Sequence, residues 1–343
     1  EKKGIPILDK KNKSYKMKRD EAGTWTYKIS GDNQGKYYTY QVMQNGEWMQ
    51  EKPDLYAVAV GVNGQRSMIV DLDETDPEGW QDDKRPELAH YNDIIIYELQ
   101  IRDMTIHPSS GSSHPGKYIG LVEEGTKSPK GLTTGIDHIK ELGVTHVHLL
   151  PTFDHRSIDE TRLDEPQYNW GYDPLNYNVP EGSFSTDPHH GEVRIKEFKQ
   201  MVQQFHKNGI RVILDVVYNH TGQTEDSNFN QLVPRYYYRQ NAEGGFSDAS
   251  ACGNETASER AMMRKYMIES VQYWANEYHL DGFRFDLMGI HDMETMNDVS
   301  AAVRAIDPSI FVYGEGWTAG SSPLPYEQQA LKANTYKMKN VAV

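Results

Sequence analysis

From residue 94 onward, apolar runs and helix-period stretches take turns along the chain. Residues 94–99 form a continuous apolar run of the kind expected in a buried strand. Residues 135–143 have helical apolar spacing with a terminating glycine, and 144–151 read as a second strand. Residues 193–207 predict an amphipathic helix ended by Asn208 and Gly209, and 210–215 a third strand. A helix over 259–278 leads into a fourth strand at 282–289, and a helix over 294–306 into a fifth at 310–315. Strands that are almost wholly apolar and separated by helices imply a parallel sheet covered on its faces.

Before residue 85 the period is two. Segments 24–29, 36–42, 56–60 and 66–70 predict strands, with turn signals at Gly31-Asp32-Asn33 and Gln44-Asn45-Gly46. Their spacing predicts a small antiparallel sandwich over 1–85. Residues 77–86 read as a linker with turn chemistry, and a β/α unit occupies 86–343. Polar residues collect at the carboxyl ends of the later strands: Asp215 with Asn219 and His220, then Asp286, then Glu315. In a β/α barrel that is the face where chemistry sits. No Gly-x-Gly-x-x-Gly or phosphate loop opens a helix, which argues against a nucleotide-binding doubly wound sheet.

Composition narrows the partners. The formal net charge of −14 disfavours nucleic acid, whose phosphates need clustered cations. A mean hydropathy of −0.75 fits a soluble globular chain, and no run approaches the roughly 18–20 apolar residues of a membrane helix, so no membrane insertion is expected. The single Cys252 allows neither an intrachain disulfide nor a cysteine metal site. The start lacks the apolar stretch of a signal peptide and also lacks an initiator Met, leaving both a cytoplasmic and a secreted or cell-surface location open. The 22 tyrosines and 6 tryptophans offer flat amphipathic rings suited to sugar faces.

The chemistry centres on Arg284 and Asp286, two residues apart on a strand and therefore on the same side. A guanidinium there is expected to keep the carboxylate ionised and fix its direction, as a carboxylate nucleophile requires. Neighbouring strand ends hold two carboxyls about 5 Å apart in retaining glycosidases, which makes Glu315 the partner acid. Gly314 and Gly316 are expected to give a substrate close access, and Trp317 to wall Glu315 and raise its pKa. The plainer reading of Glu315 is a cap or a salt bridge, and both stay open here. Asp215 is placed to orient Arg284 or a backbone turn, and His220 to donate to a sugar hydroxyl. Asn219 offers a carbonyl oxygen to calcium. Trp170 and Tyr172 flank Gly171 in the long loop after the second strand, as a sugar platform or as rings packed on the barrel mouth.

Together these stretches resemble the α-amylase superfamily of glycoside hydrolases, family 13. Asp215-Val-Val-Tyr-Asn-His220 is similar to its first signature region, Gly282-Phe-Arg-Phe-Asp286 to its second, and Gly314-Glu315 to its third. Tyr168-Asn-Trp-Gly-Tyr-Asp-Pro174 resembles the signature of the type I pullulanases, as does the stretch 251–260. Residues 25–80 are similar to the starch-binding sandwich, the family 48 module, that precedes the barrel in debranching enzymes. The resemblance implies a (β/α)8 barrel with about its first five βα units in this chain. It makes Asp286 the nucleophile, Glu315 the acid/base, Arg284 and His220 positioning residues, Tyr172 a stacking platform and Asp215 a support. The implied reaction is retaining hydrolysis of α-1,6 branches in pullulan, amylopectin or limit dextrins. An α-glucan partner, a monomer, no required cofactor and no catalytic metal follow, with calcium compatible. Isoamylase, branching enzyme, α-amylase and a non-catalytic glucan-binding relative are the alternatives. The family's fourth signature, a His-Asp pair carrying the third acid, is not reached by Val343, and the strand expected to open the sandwich is missing. A longer protein is therefore expected, with these residues alone inactive or misfolded.

Overall fold

A computed structural model describes residues 13–343; residues 1–12 of the expected 1–85 unit, including the start examined for a leader, lie outside the described residues. The central sheet has five parallel strands: β1 (Ile96–Leu99), β2 (His146–Leu149), β3 (Arg211–Val216), β4 (Gly282–Phe285) and β5 (Phe311–Gly314). Each strand's neighbour in space is its neighbour in sequence. A doubly wound sheet reverses that order at a switch point; this sheet runs in one direction only. It also curls. Tyr313 on β5 reaches across the interior to His148 on β2, hydroxyl to Nδ1 3.2 Å, although two strands separate them. The fold is α/β and TIM-barrel-like.

The helices that lead into β2–β5 are α1 (Gly135–Glu141), α2 (Gly191–Lys207), α3 (Ala261–Glu277) and α4 (Met293–Ile306). On α2, Ile195, Phe198, Val202 and Phe205 recur every three or four residues and are fully buried. Helix α4 begins at Asp292, whose carboxylate accepts from the Thr295 amide at 2.9 Å. Behind the sheet Phe153 stacks on Trp274 of α3, and Phe198 meets Tyr278 edge-on with ring centres 5.0 Å apart.

Among the described residues β1 pairs with β2 alone, and Ile95 and Ile96 of the run expected to be buried are 55% and 37% exposed, as an unclosed barrel edge would be. Before residue 85 the strands are two residues long, in separate pairs: Lys18–Arg19 with Trp25–Thr26, Tyr37–Tyr38 with Ser67–Met68, and Met43–Gln44 with Glu47–Trp48. Trp25 and Trp48 stay more than half exposed, so little buries there to extend the ladders.

The expected linker is a strap pinned to the barrel helices. The Lys199 ammonium of α2 donates to Asp76 Oδ1 at 2.6 Å, and Trp80 stacks on His279 at 4.1 Å. His206 donates from Nδ1 to Asp83 at 2.8 Å and from Nε2 to Asp281 at 2.9 Å. Burial pushes the His206 imidazolium towards neutrality, but Asp281 and Asp83 outweigh it and raise its pKa to about 9. A second buried ion group lies in the arm made by Phe153–His155 and Pro174–Pro180. There Arg194 donates to Asp154 Oδ1 at 3.0 Å and to Glu160 Oε2 at 2.8 Å, all three side chains being sealed from solvent.

Two stability predictions follow from these groups. Arg194→Met strands buried carboxyls and should cost about 3–5 kcal/mol in denaturant unfolding. His206 contributes stability that is full below its unfolded pKa of about 6.5 and is lost as pH climbs through about 9. In His206→Gln, the fall in melting temperature between pH 6 and 9 should flatten.

Candidate active site

The organising group is the Arg284 guanidinium on β4. Strand register sets Asp215 of β3 and Tyr313 of β5 on either side of it. Its Nη1 donates to both Asp215 oxygens at 2.9 Å and to Asp286 Oδ1 at 3.0 Å, while Nη2 pairs with Glu315 Oε1. Three carboxyl groups from three consecutive strands thus share one cation. Asp215 is fully buried; the side chains of Asp286 and Glu315 keep 13% and 23% of their surface. The face is open where those two lie.

Each carboxyl has a second hold. Asn219 Nδ2 donates to Asp286 Oδ2 at 2.8 Å and to the Asp286 carbonyl at 3.0 Å. Leu287, at a left-handed φ of 40°, turns its amide onto Glu315 Oε2 at 2.9 Å. Asp215 Oδ2 also accepts from the Tyr172 hydroxyl at 2.9 Å and faces His148 Nε2 at 3.1 Å. Burial, reinforced by the Asp215 charge, pushes the Asp286 carboxyl up to about 6, against the pull of Arg284 and Asn219. Arg284 fixes the direction of Asp286, as expected, while burial first and the Asp215 charge second outweigh its pull on the pKa.

The other expected residues fall around this core. His220 is buried, with Nδ1 at 2.6 Å from Asn219 Oδ1 and Nε2 at 2.8 Å from the Tyr172 carbonyl, and burial lowers its pKa. Both ring nitrogens have protein partners, so it braces Asn219 and the Tyr172 loop; Asn219 spends its amide on Asp286 and His220. Trp170 is 60% exposed, as free as a platform requires, whereas Tyr172 is partly buried by its bond to Asp215. Trp317 is 53% exposed and does not wall Glu315; salt bridge and backbone amide hold that carboxyl instead. The glycines beside Glu315 are also reinterpreted. A Cβ at Gly314 would lie 2.6 Å from the Phe285 carbonyl oxygen, and at Gly316 2.5 Å from the Lys332 amide. They make room for protein backbone rather than for substrate. Trp317, Pro325, Tyr326, Leu331 and Lys332 line a cleft of about 960 Å³ that continues outward from residue 316.

His148, Tyr313 and Glu98 were not singled out from the sequence. Their signal was period-two placement on β1, β2 and β5, which apolar runs obscure. Among the described residues one group of carboxylates, Asp154, Glu160 and Glu181, has metal-like spacing. Arg194 already supplies positive charge there.

Comparison with known proteins matches this arrangement to a family. The α-amylase catalytic-domain model covers residues 114–243, which include Asp215, Asn219 and His220. The chain belongs to the α-amylase family. It is 41% identical over 334 residues to the pullulanase of Bacillus subtilis (strain 168), spanning 97% of this chain and 45% of that protein. It is 33% identical to the chloroplastic pullulanase 1 of Arabidopsis thaliana, over 91% of this chain and 37% of that one. The structure of Paenibacillus barengoltzii pullulanase in complex with maltohexaose and α-cyclodextrin superposes with a TM-score of 0.93 at 54% identity, over 95% of this chain and 50% of that one. The chain thus spans half or less of the length of these α-amylase-family relatives.

The geometry makes the Asp286 carboxyl sensitive to its neutral donor. In Asn219→Ala its titration midpoint, followed by carbon NMR of labelled aspartate, should move upward from about 6.

Proposed function

We propose that the protein is a type I pullulanase that hydrolyses α-1,6-glucosidic branches in pullulan, amylopectin and limit dextrins with retention of configuration. The observation that carries this reading is the sharing of one guanidinium by Asp286 and Glu315 at the open face of the sheet. Two carboxyls on adjacent nitrogens of one cation fit the roughly 5 Å separation of retaining glycosidases better than the 6.5–9.5 Å of inverting ones.

In this mechanism Asp286, ionised above about pH 6, attacks the anomeric carbon. Its Oδ1 and Oδ2 are oriented by Arg284 and Asn219, so the attacking oxygen is aimed before substrate arrives. Glu315 donates its proton to the departing glycosidic oxygen and then takes one from the water that releases the sugar. In the structure it pairs with Arg284, and the first step requires that it carry a proton when the substrate is bound. Asp215 and His220 brace the site, Trp170 and Tyr172 receive sugar faces, and Trp317 contacts the chain on the leaving side. The mechanism draws on side chains alone; neither a cofactor nor calcium takes part.

A closed (β/α)8 barrel over 86–343 and the residues that follow in the relatives, preceded by a family 48 sandwich over 1–85, belongs to the same proposal, as does a monomeric enzyme. Pullulanase similarity over nearly the whole chain favours α-1,6 over α-1,4 chemistry. The full-length protein should release maltotriose from pullulan, measured as reducing sugar. Asp286→Asn should lower kcat by at least about 10³-fold with little change in KM. Turnover at the parental rate in that variant would remove Asp286 from the role.

A further inference from the structure

His148 lies on β2 beside Glu98 of β1, its register partner. Its Nε2 is 3.1 Å from Asp215 Oδ2 on β3, and its Nδ1 is 3.3 Å from Glu98 Oε2 and 3.2 Å from the Tyr313 hydroxyl on β5. The ring is therefore bracketed by a carboxylate at each nitrogen, with the side chain only 4% exposed. Arg284 of β4 reaches it only through Asp215, which it grips by both oxygens. The belt around Arg284 holds Asp215, Asp286 and Glu315 against one guanidinium, and Glu98 adds a fourth carboxyl at its edge. One cation leaves that group strongly negative.

We propose that His148 is a positioning residue that serves as the second cation of this belt, holding a proton between Asp215 and Glu98 and thereby weakening the Asp215 charge felt at Asp286. This rests on the reading of Asp286 as the nucleophile. As an imidazolium His148 donates Nε2–H to Asp215 and shares Nδ1–H between Glu98 and the Tyr313 hydroxyl oxygen, so every polar atom of the ring has a partner. Two effects follow. Asp215 is fixed from the side opposite Arg284, which keeps its two-oxygen grip on the guanidinium symmetrical. The field of Asp215, which helps push Asp286 up, is partly cancelled before it reaches the nucleophile. The arrangement ties the ionisation of Asp286 to a residue that touches neither substrate nor nucleophile.

The test is the titration midpoint of the Asp286 carboxyl in the intact protein, read by carbon NMR and assigned by its disappearance in Asp286→Asn. His148→Gln keeps a side-chain donor towards Asp215 but no charge, and should raise the midpoint by about half a pH unit or more. Glu98→Gln leaves the imidazole in place and removes the charge of its outer partner at unchanged side-chain size. It should raise the midpoint by less, in the same direction. The acid limb of kcat/KM on pullulan should move with the midpoint in both variants while KM holds. A midpoint unchanged in both variants overturns the proposal, whatever the activity. Failure of the parental protein to cleave pullulan would instead count against the functional reading and leave the NMR comparison decisive for His148.

Discussion

One guanidinium facing three carboxyl groups is the constraint on which the site depends. Arg284 cannot satisfy Asp215, Asp286 and Glu315 equally, and the geometry shows how its charge is divided. Asp215 takes two contacts from Nη1, Asp286 one, and Glu315 meets Nη2. The fully buried carboxyl is the best compensated, as it must be, because an unpaired charge there would be the most costly. The half-compensated pair is left at the opening. An acid whose charge is only partly matched is also one whose protonation responds to what enters beside it, and Asp286 is already pushed up to about 6.

The rest of the fold serves to make that sharing rigid. Parallel neighbours in strict sequence order bring Asp215, Arg284 and Tyr313 to one level of the sheet. Gly282 and Gly314 admit the adjoining strands, since a Cβ at either would lie within 2.8 Å of a neighbouring carbonyl oxygen. Leu287 accepts a strained backbone so that its amide meets Glu315, a local cost at the point where orientation matters. At the opposite end of the strands the strap over residues 72–86 is nailed to α2 and α3 by Lys199, His206 and Trp80. Charge is therefore buried at both ends of the barrel helices, for anchoring at one end and for chemistry at the other.

The strands, helices and acids were legible in the sequence because each follows from a short-range rule. Apolar runs, the Asn208-Gly209 stop and polar residues at strand ends locate β2–β5 and α1–α4 within a few residues. What escaped was anything decided by who lies next to whom. Among the described residues β1 has β2 as its one neighbour, which no window of residues 94–99 records. Trp317 follows Glu315 closely, yet the backbone turns the indole into solvent, and the pKa of Asp286 is raised by burial and by the charge of Asp215 on another strand. His148 is hidden for the same reason: its partners lie 50, 67 and 165 residues away. The two-residue ladders Lys18–Arg19 with Trp25–Thr26 and Met43–Gln44 with Glu47–Trp48 show the converse, where alternation was present but too little surface was buried to extend it.

In the proposed mechanism Asp286, aimed by the guanidinium it shares with Glu315, forms a bond to the sugar. An activated fluoro-glucosyl donor that slows release of the covalent intermediate tests it most directly, with the intact protein digested and its peptides weighed. One added glycosyl mass is expected on the peptide containing Asp286, lost again on prolonged incubation with a glucan acceptor. A glycosyl group on any other carboxylate, or inactivation with no added mass, would contradict it.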